Sequence, residues 1–211
     1  MNALSWISTE GLTFISSILR YPVLIVLYGL AMWAIVESGM VTAEWLTRRK
    51  HERVRIEDMD KGLLEAREEM KKNFDAGIQK TKESASGKFV DLFLDELSKL
   101  RDDDLFEVRL ERLIQKYEAW ISKRLQRTIT MVRIGPMLGL MGTLVPMGPA
   151  LLALSQGDVN TLATKLIYAF GTTVLGLLVG GIAYVITAVR QHWYRLDMDD
   201  IRYICEILFG G

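Results

Sequence analysis

The sequence contains one cysteine, two histidines and four prolines among its 211 residues. A single thiol, Cys205, excludes an intrachain disulfide. His51 and His192 stand apart with no metal-ligand spacing around them, and there is no phosphate-binding glycine loop and no nucleophile elbow. Nothing therefore points to an enzyme, a metal or a cofactor. Net charge is absent too, because 26 basic residues cancel 26 acidic ones. Acids and bases are interleaved, so the charge runs read as solvated helix faces and not as a nucleic-acid surface. From residue 23 to residue 135 there is no proline, and nothing in that stretch forces a helix to break.

Charge is missing locally as well. Residues 134–157 and 166–189 contain no Asp, Glu, Lys or Arg, and residues 21–43 contain only Glu37. A helix that crosses a bilayer needs about 20 predominantly apolar residues, so each stretch is long enough to span. The expectation is an all-α membrane protein with six parts. Residues 1–20 form an interfacial amphipathic segment, with Leu4, Trp6, Ile7, Phe14, Ile15, Ile18 and Leu19 among Ser, Thr and Gly; a frayed terminus is the other reading. Residues 21–43 are the first span, opening on Pro22, which suits a first helical turn. Residues 44–130 are a long helical cytoplasmic insert, 131–156 the second span, 162–189 the third, and 190–211 a cytoplasmic tail helix. The first span is not a signal peptide, since it starts deep in the chain and runs into Arg48, Arg49 and Lys50 instead of a cleavage site.

Orientation follows from the bases near the span ends. Arg48, Arg49, Lys50, Arg53 and Arg55 follow the first span, Lys123, Arg124, Arg127 and Arg133 precede the second, and Arg190 and Arg195 follow the third. The opposite side has Arg20 and Lys165. Basic excess marks the cytoplasmic face, which places the amino terminus outside, the carboxy terminus inside and residues 158–164 in a tight outer hairpin of a cell-membrane protein.

The insert reads as helical. Phe89, Phe93, Leu97 and Leu100 form one apolar stripe, and Phe106, Leu110, Leu113, Tyr117, Trp120 and Leu125 another. Ser84 to Gly87 interrupts the first part, and Asp102, Asp103 and Asp104 suit a helix start. A helix beginning there can run unbroken into the second span.

Small residues recur at steps of three and four in the last two spans: Gly135, Gly139, Gly142, Pro146, Pro149 and Ala153 in one, and Ala169, Thr173, Gly176, Gly180, Ala183 and Thr187 in the other. Close packing of two antiparallel helices accounts for the glycines. It does not require Thr143, Thr172, Thr173 or the two prolines, which leave carbonyls without helical partners and are tolerated beside polar groups or water. A threonine can also satisfy itself on its own backbone, and that reading stays open for each.

Gly139-Leu-Met-Gly-Thr143 resembles the Gly-Leu-x-Gly-Thr signature of the MotA/TolQ/ExbB proton-channel family. Ala169-Phe-Gly-Thr-Thr-Val-Leu-Gly-Leu177 is similar to that family's third-span motif, with Thr173 on the family threonine. The order of spans and insert matches over nearly the whole chain. One departure is Tyr168, which stands where many members carry a glutamate. The resemblance implies a homo-oligomeric ring, a pentamer, around a single-span partner of the ExbD/TolR/MotB kind that carries a transmembrane aspartate, and it implies coupling of ion flow to mechanical work. Thr143 and Thr173 would line the ion pathway facing that partner, with Thr172 and Tyr168 nearby and Pro146 making room for hydration; Gly135, Gly139, Gly142, Gly176 and Gly180 would pack helices.

Glu37 lies about 22 Å along its helix from Pro22, near the cytoplasmic end. Two roles are open for it: a structural ion pair, with Arg133 as partner, or ion carriage. Among rival classes, a secondary transporter would show more spans and an internal repeat. A membrane scaffold or signalling protein that uses its cytoplasmic helices for partners, without ion conduction, is the alternative reading.

Overall fold

The computed structural model describes residues 3–51, 56–85, 87–100 and 105–210. Among these every element is helical: α1 (Ala3–His51), α2 (Ile56–Lys72), α3 (Phe74–Ser84), α4 (Lys88–Leu97) followed by a short 3₁₀ turn (Ser98–Leu100), α5 (Phe106–Ser155) and α6 (Val159–Phe209). Three of these helices contain stretches long and apolar enough to cross a membrane: Tyr21–Arg48, Phe106–Ser155 and Val159–Phe209. The acidic run 102–104 and the bases Arg53 and Arg55 lie outside the described residues, as do the side chains of Leu4, Trp6, Ile7 and Ile15.

Pro22 departs from expectation. It sits inside α1 and does not open a helix, since α1 continues on both sides of it. Its ring removes one N–H from the ladder, and the flanking turns hold the helix together. The proline-free stretch behaves as expected at α5, which runs as one helix from Phe106 through Pro136, Pro146 and Pro149. A break not foreseen separates α2 from α3 at Asn73, whose side chain accepts the Asp75 N–H at 3.1 Å and caps α3.

The chain divides into two compact units, residues 1–40 with 126–187 and residues 41–125 with 188–211. In the first, α5 and α6 are joined by a tight turn. Gly157 adopts φ +79°, a region that favours glycine, and the Gln156 and Asp158 N–H groups both return to the Ala153 carbonyl. Asp158 then caps α6, its carboxylate accepting the Thr161 N–H at 3.0 Å, and the Thr161 hydroxyl together with that N–H holds its carboxyl below the usual range. Ala34, Met131, Val179 and Ala183 form a small buried cluster. Many large apolar side chains of this unit, such as Ile25, Met32, Met137, Leu144, Phe170 and Val174, are exposed, as suits surfaces that meet lipid or another chain.

The second unit has an ordinary hydrophobic core. Leu63 and Ala66 of α2, Ile78 of α3, Phe93, Leu94 and Leu97 of α4, Leu113 and Tyr117 of α5, and Ile201 and Ile204 of α6 are buried together. Phe89 stacks edge-on against Tyr117, with ring centroids 5.3 Å apart. The period-3.6 stripes of α4 and α5 are the faces that meet here. Trp120 is half-exposed but still reaches the Phe89 and Tyr194 rings.

Candidate functional site: the glycine seam and threonines of α5 and α6

The small-residue faces of α5 and α6 are in backbone contact. A methyl group at Gly176 would sit 2.6 Å from the Gly135 carbonyl oxygen and 2.7 Å from the Gly139 Cα. One at Gly139 would lie 3.1 Å from the Thr172 carbonyl, one at Gly142 2.7 Å from the Thr172 Cβ, and one at Gly180 2.8 Å from the Pro136 ring. At Gly176 the neighbours are backbone atoms that cannot turn aside, so a side chain there would force the helices apart, while at Gly139, Gly142 and Gly180 it would press on a neighbour that must give way. Gly135, Gly139, Gly142, Gly176 and Gly180 thus form one continuous seam.

The threonines sit on and beside that seam. The Thr173 hydroxyl crosses it, donating to the Gly139 carbonyl at 3.3 Å. Thr172 is buried and donates to the Ala169 carbonyl of its own helix at 2.7 Å. Thr143 does the same to Leu140 at 2.7 Å. A hydroxyl has one proton, and in each case a carbonyl takes it, so the oxygens present only lone pairs to whatever approaches them. Pro136, Pro146 and Pro149 add acceptors of another kind, because the carbonyls of Val132, Gly142 and Val145 lose the N–H they would otherwise receive.

Thr172, Tyr168 and Pro146 share a recess of about 310 Å³ walled by all three helices of the unit, with Val23, Leu24 and Tyr28 from α1 and Gly142 and Lys165 also in its lining. Thr143 and Thr173 are not part of that lining. The residues expected along one ion pathway therefore divide into two groups, Thr172, Tyr168 and Pro146 in the recess lining and Thr143 and Thr173 outside it. Lys165 and Tyr28 were not anticipated here, although Lys165, Tyr168 and Thr172 are spaced three and four apart and so share a face of α6.

Glu37 is buried in α1 and accepts the Trp33 indole N–H at 3.3 Å. Arg133 lies exposed on α5. The second unit holds a charge cluster that sequence reasoning missed. Arg48 of α1 binds Asp197 of α6 through both terminal guanidinium nitrogens, at 2.8 and 2.6 Å, and stacks over the Trp193 ring at 5.2 Å. Glu44 lies 3.6 Å from Arg48 and 3.7 Å from the buried Arg190. The i, i+4 spacing of Glu44 and Arg48 was visible in the sequence, but the partner 149 residues away was not.

With this geometry in place, comparison with known families identifies the class. Residues 60–201, more than half of the chain, match the model of the MotA/TolQ/ExbB proton channel family. The chain belongs to that family and is a membrane protein of the proton-channel type. No curated protein and no solved structure gives a significant match.

Proposed function

We propose that the chain is the ring-forming subunit of a proton-driven stator or energy-transducing complex, in which copies of it, five by the family plan, surround a single-span partner whose transmembrane aspartate carries the proton. The observation that supports this reading best is the pair of hydroxyl oxygens at Thr143 and Thr173, each with its proton committed to a carbonyl. A wall of acceptors receives a hydrogen bond from a protonated carboxyl and offers none to a bare carboxylate. It would therefore favour the loaded form of the partner's aspartate. Residues 134–157 and 166–189 contain no acid of their own, which fits a carboxylate supplied by another chain.

In this reading Thr143 and Thr173 face the partner, and the glycine seam keeps α5 and α6 close enough to act as one wall. Net movement of protons down their gradient would turn the ring relative to the partner. The amino terminus lies outside the cell membrane, and residues 44–130 and 190–211 are cytoplasmic, in line with the basic-residue asymmetry. The decisive experiment is co-purification with a single-span, aspartate-bearing candidate partner, counting of copies by native mass spectrometry, and proton flux in proteoliposomes. A stable complex of this kind that conducts nothing under a proton gradient would favour the scaffold reading.

A further inference from the structure

We propose that the recess between α1, α5 and α6 in the first unit is a lipid site, taking one acyl chain of an anionic phospholipid with the headgroup at Lys165. This inference rests on the chain being in a membrane and is independent of ion conduction.

The chemistry of the recess has three parts. Its wall is mainly hydrocarbon, from Val23, Leu24, Val145, Pro146, Ile167 and Leu175. Lys165 is the one charged residue of the lining, and it makes no ion pair among the described residues. The phenols of Tyr28 and Tyr168 and the Thr172 hydroxyl supply the remaining polar groups. A lysine ammonium in apolar surroundings is costly unless an anion or water offsets it. A concave apolar site with a few convergent polar groups is the usual form of a ligand site, and about 310 Å³ is at the small end of that range.

Two observations select the occupant. A cation in transit would meet the positive charge of Lys165, which argues against an ion vestibule and for an anionic head. Along α6 the lining runs from Lys165 to Leu175, about 15 Å at 1.5 Å per residue. That is half of a hydrocarbon core about 30 Å thick, the depth of a single leaflet. Lys165 lies close to the Gln156–Asp158 turn in sequence, so the charged end of the recess belongs to the end of the spans where headgroups sit. Tyrosines are at home at that level.

The test uses the full-length protein in vesicles containing a photoactivatable acyl chain on either phosphatidylglycerol or phosphatidylcholine, with crosslinks mapped by peptide mass spectrometry. The phosphatidylglycerol probe should label peptides covering 23–28 and 165–175 several-fold more than the phosphatidylcholine probe. Lys165→Gln should remove that preference. Gly171→Leu should remove labelling by both probes, because Gly171 lines the recess and a Cβ there meets nothing within 4 Å, so the side chain can fill the space without a backbone clash. Circular dichroism and size-exclusion profiles matching the parent would show that both variants fold. Equal labelling by the two probes, a preference that survives Lys165→Gln, competition by inorganic phosphate alone, or protein–protein crosslinks from a second copy in place of lipid would each overturn the proposal.

Discussion

The Arg48 guanidinium holds the Asp197 carboxylate in a two-point grip, with its Nη1 and Nη2 on the two carboxylate oxygens. Paired forks of this type fix direction as well as distance, and the stacking of Arg48 on Trp193 seats the arginine further. Within the second unit this ties α1 to α6 by side chains that are 30% and 12% exposed.

Removing one partner should therefore cost more than a surface pair and less than a fully buried one. Those limits are roughly 0–1 and 3–5 kcal/mol, and Arg48→Ala or Asp197→Ala should each cost about 2 kcal/mol. A double-mutant cycle on urea or thermal unfolding of the detergent-solubilised protein measures the coupling. Additive single effects would show that the grip contributes nothing.

The glycine seam gives a second prediction. Gly176→Ala should destabilise the protein by about 1–3 kcal/mol, the usual cost of forcing extra atoms into a packed contact, and Gly139→Leu or Gly176→Leu should break the oligomer. Gly148→Ala and Gly181→Ala are the controls, because a Cβ at either position meets nothing within 4 Å. Equal melting shifts for Gly176→Ala and Gly181→Ala would mean that α5 and α6 are not in backbone contact.

The hydroxyls give a third. Thr143→Val and Thr173→Val keep side-chain shape and remove the acceptor oxygen, so each variant should fold, assemble and bind the partner while losing at least tenfold in proton flux in proteoliposomes. Thr173→Val also forfeits its bond to the Gly139 carbonyl, worth about 1 kcal/mol, and should melt slightly lower. Tyr168→Phe should be milder. Normal flux in both valine variants, with flux abolished in Glu37→Gln, would place the pathway along α1.

Topology can be read by thiol labelling. A cysteine at Asn160 should react with an impermeant maleimide in intact cells, and one at Lys80 only after the membrane is opened. Burial pushes the Cys205 thiol up to about 12, so it is a poor nucleophile at neutral pH and Cys205→Ser should change the background little. Labelling of the Lys80 site in intact cells would reverse the orientation.

Tyr117 provides a pH signature for the second unit. Desolvation raises its phenol from 10 to about 12. A raised folded-state value means that its contribution is complete below pH 10 and is lost as pH climbs through 12. The melting temperature of the parent protein should fall more steeply over that window than that of Tyr117→Phe. Parallel curves would show that the phenol is as well hydrated in the folded protein as in the unfolded one.

The sequence made the helical class and the three spans legible because charge is excluded from 134–157 and 166–189, and from 21–43 apart from Glu37, a signal carried by many residues at once. The motifs around Thr143 and Thr173 led to the family. Long-range partners left no such trace. Nothing local to Arg48 marks Asp197 as its acceptor, and nothing in the α1 sequence shows that Val23, Leu24 and Tyr28 share a cavity with Lys165. Pro22 misled for a related reason: proline favours a helix start statistically, whereas the neighbours of this one carry α1 past it.

One consequence of the seam concerns motion. Where Gly135, Gly139 and Gly142 meet Thr172, Gly176 and Gly180, the backbones touch at several successive levels. Sliding one helix along the other by a single residue would bring side chains to places that admit only hydrogen. Rotating either about its axis by about 100°, the turn per residue of an α-helix, would do the same. Within the first unit α5 and α6 are therefore keyed together as one strut. On the proposed function, a working stroke would be taken up at the other surfaces of that strut, where bulky side chains such as Leu144, Phe170 and Val174 are exposed.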